Sequence, residues 1–377
     1  MVNPVSRTDR SQHTGRIAES SLASGSKRVR PVQIWAALGA MFVLLQIYLY
    51  TAWILSADFK RTPVGPTPVP GWMKVSLNIW QYGGLVAALG IIYFVVYRPW
   101  RRDGRMSVDG LICLGFLTVF WQNSLISWFQ WNLTWNSYMI NFGGWEPRVP
   151  FWLSPHANRT AEPFVTLPPM YIYFMYAAVV IGCFVMGQIR KRFPNLGNFG
   201  LCVATTLIFL VFDTCLEPLL MASGVWTYPS AIKGVTLFHG HYFQFPIYEA
   251  ILFGTCWAAW TFLRFFKDDK GRTVAERGAD TLHVRESGRT FVRFLAIAGF
   301  LNIAMVVYSL LWAAIGLHGS EWPKDITERS YLTNNLCGAG SAPYPGAPDY
   351  ACPGPGVPIP RPGSAYMTTD GTIFTPK

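Results

Sequence analysis

Residues 198–221 read NFGLCVATTLIFLVFDTCLEPLLM, an apolar run in which the only charged residues are two acids near its end. A helix needs about 20 mostly apolar residues to cross the ~30 Å hydrocarbon core of a bilayer. This stretch is long enough to cross, and Asp213 and Glu217 are its unusual residues. It therefore predicts a membrane-spanning helix that carries a polar site near one end.

Six further stretches have the length and composition of a span. The chain of 377 residues is 51% hydrophobic and only 14% charged, whereas soluble globular domains carry about 25% charged residues. These values exclude a soluble enzyme, a fibrous protein and a largely disordered chain. We predict an all-α fold, a polytopic membrane bundle of about seven transmembrane helices. The other six spans are predicted at roughly 33–55, 75–97, 108–132, 168–189, 244–266 and 290–316.

The basic residues indicate how the bundle is oriented. The chain has 31 Lys and Arg against 20 Asp and Glu, an excess that in a soluble protein would suggest nucleic acid as a partner. If the N-terminus is cytoplasmic, most of these basic residues fall on the inside, in clusters beside the spans. This is the positive-inside pattern. We predict an N-in/C-out integral protein of the bacterial plasma membrane, and we exclude nucleic acid as a partner.

The two ends of the chain differ from the membrane domain, which we place at residues 31–318. Residues 1–30 are polar, basic and Ser-rich, and are predicted to be a disordered cytoplasmic tail. Residues 319–377 are predicted to be a Pro- and Gly-rich extracytoplasmic tail. It contains Cys337 and Cys352, which either form a disulfide or remain free thiols in a disordered tail.

Three acidic residues lie inside predicted spans, where a charge is costly and marks function by default. Asp213 and Glu217 are four residues apart and share a helix face, and Glu249 lies in the next span. Two like charges this close in a low dielectric cannot both ionise comfortably, so one should hold a proton and serve as general acid. Pro218 should loosen the helix beside them.

Helix geometry places the three acids at similar depths. At 1.5 Å per residue, Glu217, Glu249 and Asp213 lie about 6, 7 and 12 Å below the outer end of their helices. We therefore predict these three carboxyls as catalytic residues, with structural hydrogen bonding between helices as the alternative. Polar and aromatic groups predicted at the same end form a candidate substrate-binding set: Asn123, Asn132, Trp226, Tyr228, His239, His241, Gln244 and Tyr248.

Two features of the outer segments have simpler explanations. The spacing of His239 and His241 is compatible with a metal, but the sequence places no third histidine near them, so we predict no metal site. The aromatic residues of the long segment 133–166 form either an interfacial belt or a cover over the substrate.

Several motifs resemble the spirocyclase AveC-like family, and the resemblance extends over residues 33–316. The residues that carry it are 141–145 (NFGGW), 149–152 (VPFW), 212–218 (FDTCLEP), 224–229 (GVWTYP) and 237–249 (LFHGHYFQFPIYE). The resemblance implies a membrane enzyme of polyketide biosynthesis that closes a dihydroxyketone into a spiroketal and in some members dehydrates the product. It implies acid–base catalysis of a hydrophobic small-molecule substrate among membrane lipids, without an organic cofactor.

This chemistry suits the residues already singled out. Ketal closure needs an acid to release a hydroxyl as water, and a base to accept the proton of the attacking hydroxyl. We predict Glu217 as the acid and Asp213 as stabiliser or base. Two alternatives remain open. Residues 226–229 and 246–249 faintly resemble membrane carotenoid or isoprenoid cyclases, and the polar cluster could instead serve a non-catalytic lipid-binding or transport-accessory protein.

Overall fold

The computed structural model describes residues 29–376, and these are mostly helical. The predicted disordered tail lies outside the described residues except for its last two. The long helices are α1 (Pro31–Ile54), α2 (Gly71–Asp103), α3 (Val108–Thr118), α4 (Phe120–Ser127), α5 (Leu167–Arg192), α6 (Asn198–Ala222), α7 (Ile247–Phe265) and α8 (Glu286–Gly316). Two short helices follow, α9 (Lys324–Thr327) and α10 (Ser330–Thr333).

Most of the long helices are suited to a membrane. Within residues 29–376, five helices are each long and apolar enough to span a membrane: α1, α2, α5, α6 and α8. Helices α3 and α4 reach this length and hydropathy only when they are taken together as one bent span. Helix α7 has 19 residues but is not among them, because Glu249 and Arg264 lower its hydropathy. The structure thus confirms a mostly helical chain with five or six candidate spans.

One local expectation needs correction. The third predicted span is not one straight helix, because α3 and α4 are bent by 40° and the helix ends at Ser127 rather than near residue 132. The amide of Gln46 donates to the carbonyl of Leu117 at 3.0 Å, a side-chain contact of the kind that bends helices. In α6, Pro218 lies inside the helix, which continues to Ala222, close to the predicted end of that span.

Close approach of small residues holds the first and last long helices together. A Cβ atom added to Gly39 of α1 would lie 1.8 Å from the carbonyl oxygen of Leu295, and one added to Gly299 of α8 would lie 2.1 Å from that of Trp35. The two backbones therefore touch at these glycines, as is common where helices associate in membranes. This contact holds α8 in position against α1, and α8 supplies part of the site described below.

The segments that join the helices at one end pack into a single layer, here named the cap: residues 55–70, 128–166, 223–246 and 317–376. Three antiparallel two-stranded sheets lie in it: β1 (Thr134–Trp135) with β2 (Trp226–Thr227), β3 (Thr236–Leu237) with β4 (Phe245–Pro246), and β5 (Tyr366–Met367) with β6 (Ile373–Phe374). Buried tryptophans fill the cap, among them Trp131, Trp145 and Trp322. Cys337 and Cys352 form a disulfide within it.

Two ion pairs connect elements at the opposite end of the bundle. Arg264 at the end of α7 makes a bidentate contact with Asp109 of α3, at 2.8 and 3.0 Å. Arg293 of α8 donates to the fully buried Glu276 at 2.7 Å. The carboxyls that matter for the site lie at the other end, beneath the cap.

Candidate active site

The last turns of α6 present two acids to the interior of the bundle. Asp213 and Glu217 lie one helical turn apart, are 1% and 6% exposed, and their carboxyls are in contact. Glu217 accepts hydrogen bonds from the hydroxyl of Tyr228 at 2.6 Å and from the indole nitrogen of Trp226 at 3.2 Å. Both donors come from the cap at and just beyond β2, so pairing of β2 with β1 places them on Glu217.

Glu249 joins these acids from the first turn of α7. Its position at the helix N-terminus favours a negative charge through the helix dipole. The hydroxyl of Tyr308 lies 2.7 Å from its carboxyl, that of Tyr228 lies 3.3 Å away, and the indole nitrogen of Trp312 also donates to it. Two aromatic donors, Tyr308 and Trp312, thus act on this carboxyl group, because the single hydroxyl proton of Tyr228 lies closer to Glu217. Donors of this kind stabilise the charged form of a carboxyl.

Asp213 has a different environment from the other two acids. Its Oδ2 atom is buried and has no hydrogen-bond partner among residues 29–376. No aromatic N–H or O–H group donates to it within the described chain, and its contact is with the carboxyl of Glu217. Of the three carboxyls, Asp213 therefore has the fewest hydrogen-bond donors to support a negative charge.

The three acids line one partly open cavity. Its volume open to the centre of a water molecule is about 40 Å³, space for about three waters. Apolar and aromatic side chains form most of the remaining wall, and the amide of Asn123 adds a polar group. The lining residues are Asn123, Ile126, Leu133, Trp135, Met170, Phe174, Met175, Asp213, Glu217, Leu220, Trp226, Tyr228, Glu249, Phe253 and Tyr308.

The tyrosine that links two of the acids remains a neutral donor. Burial raises the pKa of Tyr228 well above its ordinary value of 10, and the neighbouring Glu217 and Glu249 raise it further. Its hydroxyl reaches both carboxyls, and the shorter distance is to Glu217. Tyr228 is therefore suited to orienting the two acids and not to accepting protons as a phenolate.

The other predicted binding residues are arranged in two groups. Asn123, Trp226 and Tyr228 line the cavity with the acids. Asn132, Gln244 and Tyr248 are buried but lie outside its lining. The amide of Asn132 donates to the carbonyl of Ile126 at 2.8 Å, and that of Gln244 to the carbonyl of Tyr228 at 2.8 Å, so both brace the cap. Tyr248 packs edge-on against Trp312.

The two histidines lie away from the acids. His241 is exposed and its ring stacks on Phe243, and His239 is partly exposed in the turn before it. Neither lines the cavity. In the part of the chain that the structure describes, no three His, Cys, Asp or Glu side chains are grouped so that they could hold a metal ion.

Sequence reasoning missed the contribution of α8. Tyr308 and Trp312 are four residues apart and both donate to Glu249. In the sequence they look like ordinary aromatic residues of a span. The one available signal was their spacing, which puts two side chains with polar tips on the same helix face.

The long segment 133–166 both covers the cavity and builds the cap. Trp135 lines the cavity, Trp145 is fully buried in the cap, and Phe151 is 89% exposed. Trp135 therefore covers part of the cavity, whereas the interfacial belt stays a prediction for this segment.

Comparison with known proteins gives one match. The model of the family described as spirocyclase AveC-like matches residues 100–332, more than half of the chain and all three acids. Neither the curated proteins nor the solved structures that were searched contain a match to this chain.

Proposed function

This chain belongs to the spirocyclase AveC-like family, and from that membership we propose that it is a membrane-embedded cyclase. Its substrate would be a hydrophobic polyketide or lipid with a ketone and two hydroxyls, which it closes into a spiroketal. The cavity as it stands has space for about three waters, so the proposal requires its wall to move apart when the substrate binds. The single observation that carries the proposal is the cavity under the cap. There, three buried carboxyls converge among aromatic walls, with N–H and O–H donors placed on two of them.

The reaction balances with these groups alone. One substrate hydroxyl adds to the ketone to give a hemiketal. A protonated carboxyl then gives its proton to the hemiketal hydroxyl, which leaves as water, and an oxocarbenium ion remains. The second hydroxyl attacks this ion and loses its proton to a carboxylate. A ketone and two hydroxyls thus become one spiroketal and one water, with no net change in protons and no redox step.

The contacts favour a division of roles among the acids. Asp213, with no aromatic donor, holds the proton and delivers it to the departing hydroxyl. Glu217 accepts the proton of the attacking hydroxyl and returns it to Asp213 through their contact. Glu249, which accepts from Tyr308 and Trp312, would be the carboxylate that stabilises the cation. This exchanges the roles predicted for Asp213 and Glu217 from the sequence, because only the structure shows where the donors lie.

The test is turnover of a dihydroxyketone by purified protein in lipid nanodiscs, followed by mass spectrometry and chiral chromatography. We expect Asp213→Asn and Glu217→Gln each to lower kcat by at least about 100-fold, the usual contribution of a general acid or base. The matched control is Cys215→Ser, which lies on the exposed face of the same helix and should keep activity. Full activity of Asp213→Asn would disprove the proposed mechanism.

Two further experiments separate the alternatives. Carotenoid ring closure in a lycopene-producing host would assign the isoprenoid cyclase function. A lipid-binding function would be assigned if the wild-type protein turned over no substrate but co-purified with a tightly bound lipid, and if Glu249→Gln lost that lipid.

The proposed topology is seven crossings with the N-terminus inside and the cap outside the bacterial plasma membrane. The basic clusters beside α2, α5 and α7 support this orientation. The disulfide in the cap supports it independently, because disulfides persist in oxidising compartments and are rare in the cytoplasm. The active site then lies near the outer surface, within reach of a substrate dissolved in the bilayer.

A further inference from the structure

The chain continues beyond the family match and contacts the cap segments that surround the site. The family match ends at residue 332, and residues 333–376, here named the strap, form the last part of the cap. The disulfide between Cys337 and Cys352 closes a loop within the strap. Arg159 of the cap binds it through three carbonyl oxygens, those of Asn335 at 3.0 Å, Ser341 at 2.9 Å and Ala342 at 2.6 Å.

One side chain of the strap reaches the wall of the cavity. Asn334 is fully buried, and its Nδ2 atom donates to the carbonyl oxygen of Trp135 at 3.0 Å and to that of Leu332 at 3.1 Å. Its φ of 54° is left-handed, a conformation that Asn tolerates better than most residues. The backbone of α10 also contacts this wall, because the amide of Ser137 donates to the carbonyl of Tyr331 at 2.9 Å.

Trp135 connects the strap to a catalytic carboxyl. It lines the cavity, and in the β1–β2 sheet it is paired with Trp226, with the two ring centroids 5.5 Å apart. Trp226 in turn donates its indole N–H to Glu217. Asn334 thus holds the backbone of β1, β1 holds β2, and β2 places a donor on the carboxyl.

We propose that Asn334 is a positioning residue, through which the strap holds the β1–β2 sheet and keeps the indole of Trp226 on Glu217. The role of Glu217 rests on the proposed function, whereas the mechanical link from strap to sheet does not. Asn334 touches neither the cavity nor the acids. Its loss should therefore slow the chemical step more than it weakens substrate binding.

The chain offers a matched pair of variants. Asn335 follows Asn334, has nearly the same left-handed φ of 53°, and does not donate to Trp135. Asn334→Asp removes the Nδ2 donor and places a carboxylate against the carbonyl of Trp135, whereas Asn335→Asp makes the same chemical change without that contact. We expect Asn334→Asp to speed hydrogen–deuterium exchange at residues 133–137 and 224–228 relative to Asn335→Asp. It should lower kcat about tenfold, the effect of one lost hydrogen bond to a charged group, with KM nearly unchanged.

A second measurement needs no mutation. Reduction of the Cys337–Cys352 disulfide in the folded protein should loosen the strap and speed exchange at the same residues. The proposal would be overturned if hydrogen–deuterium exchange at residues 133–137 and 224–228 were equal in the two variants, or did not change on reduction. It would also be overturned if both variants lost thermal stability to the same extent. If wild-type protein shows no turnover but exchange changes as expected, the proposed function fails and the link from strap to sheet stands.

Discussion

Glu146 and Glu162 form a second buried carboxyl pair, outside the spans and within the cap. They are 1% and 2% exposed, their carboxyls are in contact, and Thr160 donates to Glu146 at 2.8 Å. The nearby basic side chains are committed elsewhere, Arg148 to Asp58 and Arg159 to the strap. Burial raises the pKa of Glu146 to about 7, and that of Glu162 lies well above its ordinary value because of burial and the charge of Glu146.

This pair predicts that the cap weakens as pH rises. A carboxyl whose pKa is raised by folding binds more protons in the folded state, so its stabilisation is complete below the unfolded value of 4.5 and is lost as pH rises through the folded value of about 7. The loss for Glu146 is on the order of 3 kcal/mol. We expect the thermal midpoint to fall between about pH 5 and about pH 8, and to fall less in Glu162→Gln. Tryptophan fluorescence during heating measures it.

The control for this prediction is Glu321→Gln, an exposed glutamate of the same cap that should leave the pH dependence unchanged. An identical fall in wild type and Glu162→Gln would show that the pair does not titrate as expected.

At the scale of elements, the long helices follow from local properties of the sequence. Apolar length alone predicts α1, α2, α5, α6 and α8, because a span must satisfy its backbone within itself and cover its surface with apolar side chains. The bend between α3 and α4 could not be predicted this way. At the bend, the carbonyl of Leu117 accepts from Gln46, a residue of another helix about 70 positions away in sequence, and such a contact is not visible in the local pattern.

Helix packing gives a prediction at the same scale. Gly39→Val should destabilise the protein by about 1–3 kcal/mol, because its side chain would push α1 away from the backbone of α8 at Leu295. Gly90→Val in α2 is the matched control, since a Cβ atom there meets nothing within 4 Å. Thermal unfolding in nanodiscs compares the two. Equal midpoints would mean that the glycine contact does not hold α1 against α8.

At the scale of the whole molecule, the cap and the bundle form the site together. Asp213, Glu217 and Glu249 come from helices, whereas Trp226, Tyr228 and Trp135 come from the cap. The depth argument from the sequence brought the three acids to one end, because successive spans alternate in direction. It did not separate the cap residues that line the cavity from those, such as His239 and His241, that lie in turns away from it.

The proposed topology predicts accessibility from each side of the membrane. Single cysteines in place of the exposed residues Lys60 and Lys233 should react with a membrane-impermeant maleimide added to intact cells. Cysteines in place of Asp103 and Lys270, also exposed, should react only after the cells are opened. The background is a protein with Cys215, an exposed native thiol, changed to Ser. The opposite labelling pattern would invert the topology.

The sequence by itself determined that this chain is a helical membrane protein with acids near one end of its spans. The length and hydropathy of a segment, and the motifs that resemble one family, depend only on residues that are close together in the sequence. Only the tertiary structure decided which groups act on those acids. Tyr308 and Trp312 reach Glu249 from α8, Trp226 reaches Glu217 from the cap, and Asn334 supports that contact from the strap. The physical reason is that hydrogen-bond donors act over about 3 Å, and residues far apart in sequence reach that distance only when the chain is packed.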